Sequence, residues 1–226
     1  MPTTNRPDVR GDTPPGPGRR ASTRGAPRSP RREATRARVL AAAMEVFAER
    51  GFHGASVEDI CERAGFTRGA FYSNFDSKDD LVLALYEQHL ERLSARVEVL
   101  AAREDLAPRQ ILEGVLEVWA ESPRAEEQWY LLQAEFTLHA IRDKQAGRAW
   151  AAQQASVRER LAGLVERIAE QHHLRLSVTP EEFIRLALAV SQGAMAQHLL
   201  QPRTVARGCL ERTFLPLVLD AVSSGG

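Results

Sequence analysis

The chain has 226 residues, 43% of them apolar, and its 30 Lys and Arg are cancelled by 30 Asp and Glu. That is enough for a sizeable core, but no run approaches the roughly 18 consecutive apolar residues of a membrane-spanning helix, and no apolar segment follows the basic start as a secretory signal requires. Cys61 and Cys209 each lie in an apolar periodic run, which argues against a disulfide framework and for a reducing, cytoplasmic setting.

The zero net charge conceals an uneven distribution. Residues 1–38 hold ten arginines against Asp8, Asp12 and Glu33, a surplus of seven positive charges that the rest must balance. A basic end on an acidic body suits an anionic partner such as nucleic acid; a solvated tail without function is the alternative. Residues 1–32 are rich in Pro, Gly, Arg, Ser and Thr and nearly empty of large apolar side chains. Such a segment cannot offset its ordering entropy, so a disordered basic arm is expected there.

From Glu33 the pattern changes. Leu40, Ala43, Met44 and Phe47 recur at helical spacing, and Gly51 predicts a left-handed stop with Phe52 folded back on the last turn. Ser56-Val-Glu-Asp59 reads as a capping box for a second helix that buries Val57, Ile60 and Cys61 and stops at Ala64-Gly65. Thr67 caps a short third helix through Phe71 and Tyr72. Another box, Ser77-Lys-Asp-Asp80, opens a long fourth helix carrying Leu81, Leu85, Leu93 and Val97.

Beyond Pro108 the helical stripes continue. Ile111, Val115 and Val118 or Trp119 mark one helix; Trp129, Leu132, Phe136 and Ala140 mark another. Trp150, Gln154, Val157, Leu161, Leu164, Val165 and Ile168 mark a third, long one. Thr179-Pro-Glu-Glu182 is a capping box with proline at the first helical position, and its helix runs through Phe183, Leu186, Val190 and Ala194. A last helix near 203–221, carrying Leu210, Phe214, Leu217 and Val218, is expected to kink or break at Pro216. No stretch alternates as a strand does. The fold class is all-α, with about nine helices.

Two short helices joined by a tight glycine-containing turn, the second polar and outward-facing, describe a helix-turn-helix. In that motif the second helix enters the DNA major groove. Gly69, without a Cβ, lets backbone approach backbone, of a neighbouring helix or of DNA. Phe71 and Phe75 anchor the short helix, leaving Thr67, Arg68, Tyr72 and Asn74 free to hydrogen-bond. The N–H groups that Thr67 caps suit a phosphate, and Arg68 can reach a guanine edge or a phosphate.

The segment ASVEDICERAGFTRGAFYSNFDSKDDLVLALYE resembles the DNA-binding segment of the TetR family of bacterial transcriptional regulators. Gly51, Ala64, Gly65, Gly69, Tyr72, Phe75, Ser77, Lys78 and Leu81 fall in register with that family's pattern, from about Thr35 to Glu87. Ser56 stands where threonine is usual, Phe66 where an aliphatic is usual, and Asn74 where histidine is frequent. The resemblance implies a helix-turn-helix DNA-binding domain over residues 33–80 and a helical effector-binding and dimerisation domain over 81–222. It implies that Ser56, Thr67, Tyr72 and Lys78 hold phosphates, and that Arg68, Gly69, Ala70 and Asn74 face the bases. A homodimer through the last two helices is implied too, with Ala187, Ala189, Gly193, Ala194 and Ala196 allowing close approach; packing of that face within one chain is the alternative. Such a dimer sets two recognition helices about 34–36 Å apart on a palindromic operator in double-stranded DNA. Among central helices the family carries an effector cavity, for which Trp119, Trp129, Phe136, His139 and Trp150 are the candidates; core packing is the plainer reading of each. A small, largely apolar effector there would tilt the fourth helix and release DNA, so a repressor is the expected function.

Enzymatic readings find little support. His172 and His173 are adjacent and point apart on a helix, and His139 and His198 have no ligand at metal spacing. Cys61 reads as buried rather than reactive. Neither a metal site nor a cofactor is expected. The stronger rival is an effector-independent architectural DNA-binding protein, held to any sequence by its arginine arm.

Overall fold

The computed structural model describes residues 30–225. The arm expected over 1–32 falls outside the described residues as far as residue 29; its last three residues belong to the first helix, a correction of that boundary. α1 spans Pro30–Gly54 and begins on proline, which loses no hydrogen bond at a first helical position. It is followed by α2 (Val57–Ala64), α3 (Arg68–Tyr72), α4 (Lys78–Ala101), α5 (Pro108–Ala120), α6 (Pro123–Arg142), α7 (Lys144–Gln171), β1 (Leu174–Leu176), α8 (Pro180–Leu200), α9 (Cys209–Val222) and β2 (Ser223–Gly225). Among the described residues no helix is long and apolar enough to cross a membrane.

α1 breaks where the glycine sits, but not as a left-handed cap. Gly51 has φ 71° and ψ 171°, a region that essentially only glycine occupies. The chain leaves in an extended direction and Phe52 returns onto Phe47, their ring centroids 6.0 Å apart. Phe52 also meets Phe136 of α6 edge-on at 5.1 Å. One core cluster therefore runs from Val39 and Ile60 through Phe71 and Leu81 to Phe136, Trp150 and Val157, continuous across residue 80. Two smaller clusters, around Val97 and Leu164 and around Leu116, Ala187 and Leu215, hold the far end.

Two expectations need correction. Leu174–Leu176 pairs antiparallel with Ser223–Gly225, Leu174 opposite Gly225 and Leu176 opposite Ser223. Three residues are too few for alternation to register as a period. The last helix starts at Cys209 and continues through Pro216, whose fully buried ring offsets the hydrogen bond it removes. Its core face is Leu215, Pro216 and Leu219, while Phe214 and Leu217 are half exposed, at 50% and 53%. On α8, Phe183, Ala187 and Ala194 are buried, whereas Leu186 is exposed and a Cβ on Gly193 would meet nothing within 4 Å.

Candidate nucleic-acid interface and inner cavity

The turn between α2 and α3 is built by caps at each end. Ser56 Oγ accepts the Asp59 N–H at 3.1 Å, and Asp59 Oδ2 accepts the Ser56 N–H at 3.0 Å and its hydroxyl at 2.6 Å. Arg50 lies 2.5 Å from Asp59, so α1 braces the cap. Both partners together hold the Asp59 carboxyl below its ordinary range, the Ser56 hydroxyl first among them. α2 ends on Gly65 in the left-handed region (φ 69°, ψ 37°), and the Phe66 N–H returns to the Cys61 carbonyl at 3.0 Å.

α3 is only five residues long, too short to be stable unaided. Phe71 and Phe75 hold it, both buried, with rings 5.7 Å apart. Thr67 Oγ1 accepts the Ala70 N–H at 3.3 Å. Its outer face carries Thr67, Arg68, Gly69 and Tyr72, all exposed. A Cβ built on Gly69 would meet nothing nearer than Thr67 Oγ1 at 3.8 Å. No neighbouring helix of this chain thus demands glycine there; the demand would have to come from outside. Arg68 Nη1 lies 2.6 Å from Glu58 Oε1, and its guanidinium sits 5.9 Å from the Tyr72 ring centre. The ion pair ties Arg68 to α2 while leaving its side chain exposed.

Asn74 and Lys78, two further predicted contact residues, are also engaged within the chain. Asn74 is half-buried, and its amide donates to the Ala70 carbonyl at 2.9 Å. Lys78 Nζ donates to the carbonyls of Phe52 at 2.6 Å and Ala55 at 2.9 Å, over the Phe52 ring. Burial pulls the Lys78 pKa down, with Asp79 opposing. The phosphate role implied for Lys78 thus meets an ammonium already holding the turn after α1. Arg32 was not anticipated. Its Nη2 donates to the Ser73 carbonyl at 2.6 Å and its Nε to Asn74 Oδ1 at 3.4 Å, fastening the start of α1 to the end of α3. A separation of about forty residues leaves no sequence signal for that contact.

A cavity of about 530 Å³ lies among α4–α9, within the size range of small-molecule sites. Of the five aromatic candidates, Trp119 and Trp129 line it. Phe136, His139 and Trp150 do not, which corrects three assignments. Phe136 and Trp150 belong to the core cluster and meet at 5.2 Å. His139 Nε2 lies 3.2 Å from Asp79 Oδ2 and packs on Phe52. The walls missed by the sequence come from every helix between α4 and α9, among them Tyr86, His89 and Leu93 of α4 and Phe183, Ala187 and Met195 of α8. Burial depresses the His89 pKa to about 4, so at neutral pH its 3.5 Å approach to Glu126 is not an ion pair.

The family model described as bacterial regulatory proteins, tetR family, matches residues 39–85. The HTH-type transcriptional activator FasR of Mycolicibacterium smegmatis is 35% identical over 101 residues, 45% of this chain and 46% of that one. The HTH-type transcriptional regulator UidR of Escherichia coli is 45% identical over 62 residues, 27% of this chain and 32% of that one. The match therefore spans less than half the length of these curated relatives. The whole fold is shared with solved structures. A TetR-family transcriptional regulator from Rhodococcus sp. superposes with TM-score 0.69 at 22% identity, covering 85% of this chain and all of that one (100%). Salmonella enterica GusR gives 0.66 at 24% identity, covering 83% of this chain and 94% of that one. The helix-turn-helix segment is thus similar in sequence to that of the tetR family, and the surrounding helices share the fold of these solved structures.

Proposed function

We propose that the chain is a ligand-responsive transcriptional repressor that binds a palindromic operator as a homodimer. The observation that carries this reading is α3 itself: a five-residue helix anchored by buried Phe71 and Phe75, presenting Thr67, Arg68, Gly69 and Tyr72 to solvent. In this reading Arg68 reads a base edge, Gly69 and Ala70 let the helix approach closely, and Ser56, Thr67 and Tyr72 hold phosphates. Asn74 contacts DNA only by exchanging its bond to the Ala70 carbonyl, and Lys78 acts chiefly by positioning the turn beside α2.

Dimerisation is supported by the unpartnered apolar residues Leu186, Phe214 and Leu217 on α8 and α9, beside the open surface at Gly193. Effector control is supported by α4. Its inner face lines the cavity, and its first residue, Lys78, grips the carbonyls of Phe52 and Ala55. An apolar molecule that wedges the cavity would move α4 and carry that grip with it, displacing α2 and α3. A cavity coupled in this way favours a regulated protein over an architectural one. FasR is named an activator and SmeT of Stenotrophomonas maltophilia a repressor, so a reporter placed behind the selected operator decides the direction; repression by bound protein is the expected result. Sedimentation of Phe214→Glu/Leu217→Glu tests the dimer. A monomer with weakened operator binding supports it, and an unchanged dimer overturns it.

A further inference from the structure

The cavity wall carries one buried carboxylate whose hydrogen bonding is incomplete. Glu211 of α9 is the only buried charged side chain among the described residues, 7% exposed, and it lines the cavity. Its Oε1 receives only a long bond from the Ser191 hydroxyl at 3.4 Å, and its Oε2 has no hydrogen-bond partner. Burying a carboxylate so poorly matched is costly unless something else completes it.

The arginines of the same wall each have a partner, although Arg158 Nε and Arg207 Nη1 are, like Glu211 Oε2, buried without a hydrogen bond. Arg158 Nε lies 3.6 Å from Glu181 Oε1. Arg207 donates to the Trp119 carbonyl at 3.4 Å and acts on Glu126, partly countering the upward push of burial on that carboxyl. Arg212, one residue beyond Glu211, is exposed and turns its guanidinium to the Arg207 carbonyl at 2.7 Å. Glu211 is left as a buried carboxylate with one long hydrogen bond and, among the described residues, no ion pair within 4 Å.

Leu215, one turn beyond Glu211, packs in the cluster that includes Trp119. Trp119, whose indole π face favours cations, lines the same cavity. We infer that the cavity takes an apolar molecule bearing one protonated amine, whose N–H donates to Glu211 Oε2 while its hydrocarbon part fills the space between α4 and α8. This rests on the effector-cavity reading above and adds the charge of the ligand.

Decylamine, decanol and decanoate carry the same chain with a cationic, neutral and anionic head. Their binding to the full-length chain is followed by calorimetry, with tryptophan fluorescence as a second readout since Trp119 and Trp129 line the cavity. The amine is expected to bind about tenfold or more tighter than the alcohol, the gain of a charge-assisted bond to a buried acceptor. In Glu211→Gln that advantage should vanish while decanol binding is unchanged. Equal binding of amine and alcohol, as a trapped water on Glu211 would give, overturns the inference and leaves the cavity reading intact. Tightest binding of decanoate also overturns it, assigning the site to the arginines. Binding of none of the three overturns both. Should Glu211→Gln fail to fold, the order of amine over alcohol in the unaltered chain carries the test alone.

Discussion

The Glu135 carboxylate of α6 accepts the backbone N–H of Phe52 at 2.5 Å, directly beside the break in α1. Two elements far apart in sequence are joined there by a charge-assisted bond. Lys78 takes the carbonyl of the same Phe52 from the other side. The turn leading into α2 is thereby clamped between α4 and α6.

Gly51 is the residue least able to change at this clamp. A Cβ there would stand 2.8 Å from Glu135 Oε2, and its backbone already lies at φ 71°. Glu135 cannot swing aside without abandoning the Phe52 N–H. Gly51→Ala should therefore destabilise the fold by roughly 1–3 kcal/mol, read as a lower urea midpoint at unchanged slope. Stability equal to the parent would show that the turn is not held as described.

Lys78→Gln separates a positioning lysine from a phosphate ligand. Loss of two bonds to half-buried carbonyls should cost about 1–3 kcal/mol of stability. The dependence of operator affinity on salt should keep its slope. A slope shallower by about 0.9 would mean that the ammonium leaves its carbonyls for a phosphate.

Arg68→Ala should weaken binding to the selected operator by about 1–3 kcal/mol and leave binding to unrelated duplex nearly unchanged. Competition titrations with both duplexes give the ratio. Equal weakening on the two would assign Arg68 to the backbone rather than a base.

The cavity introduces a pH dependence of stability. His89 has an ordinary pKa of 6.5, lowered to about 4 by burial, with Arg92 adding to the shift. Above 6.5 it is neutral folded or unfolded. As pH falls from 6.5 toward 4, the unfolded chain gains a proton that the fold refuses, so stability falls by up to about 3 kcal/mol. Glu126 works in the opposite sense, because burial raises its pKa and acid relieves the cost of its charge. The clean comparison is with His89→Gln, whose stability relative to the parent should rise over that window. A constant difference between pH 7 and 4 would contradict the burial of His89.

Much of the recognition segment was legible because its signals are local. Caps at Ser56, Thr67, Ser77 and Thr179 all form, each with its side-chain oxygen on the N–H three residues ahead. The Trp129, Leu132, Phe136 and Ala140 stripe is the buried face of α6. What escaped depends on non-local packing. Periodicity identifies an apolar face but not what lies against it, so Phe136 and Trp150 could not be told from cavity walls. On α9 residues 214–219 are apolar without interruption, and only tertiary contacts select Leu215 and Leu219 over Phe214 and Leu217. Lys78 and Arg32 bind main-chain carbonyls distant in sequence, which leave no residue-type signature at either end.

The central claim is that paired copies of α3 read DNA bases in the major groove. Selection of bound duplexes from a random pool by the full-length chain tests it most directly. Inverted half-sites with centres about 10 base pairs or a multiple apart, whose enrichment disappears in Arg68→Ala, are the predicted result. A pool that stays random after repeated rounds, or an enriched motif that Arg68→Ala leaves intact, would contradict it.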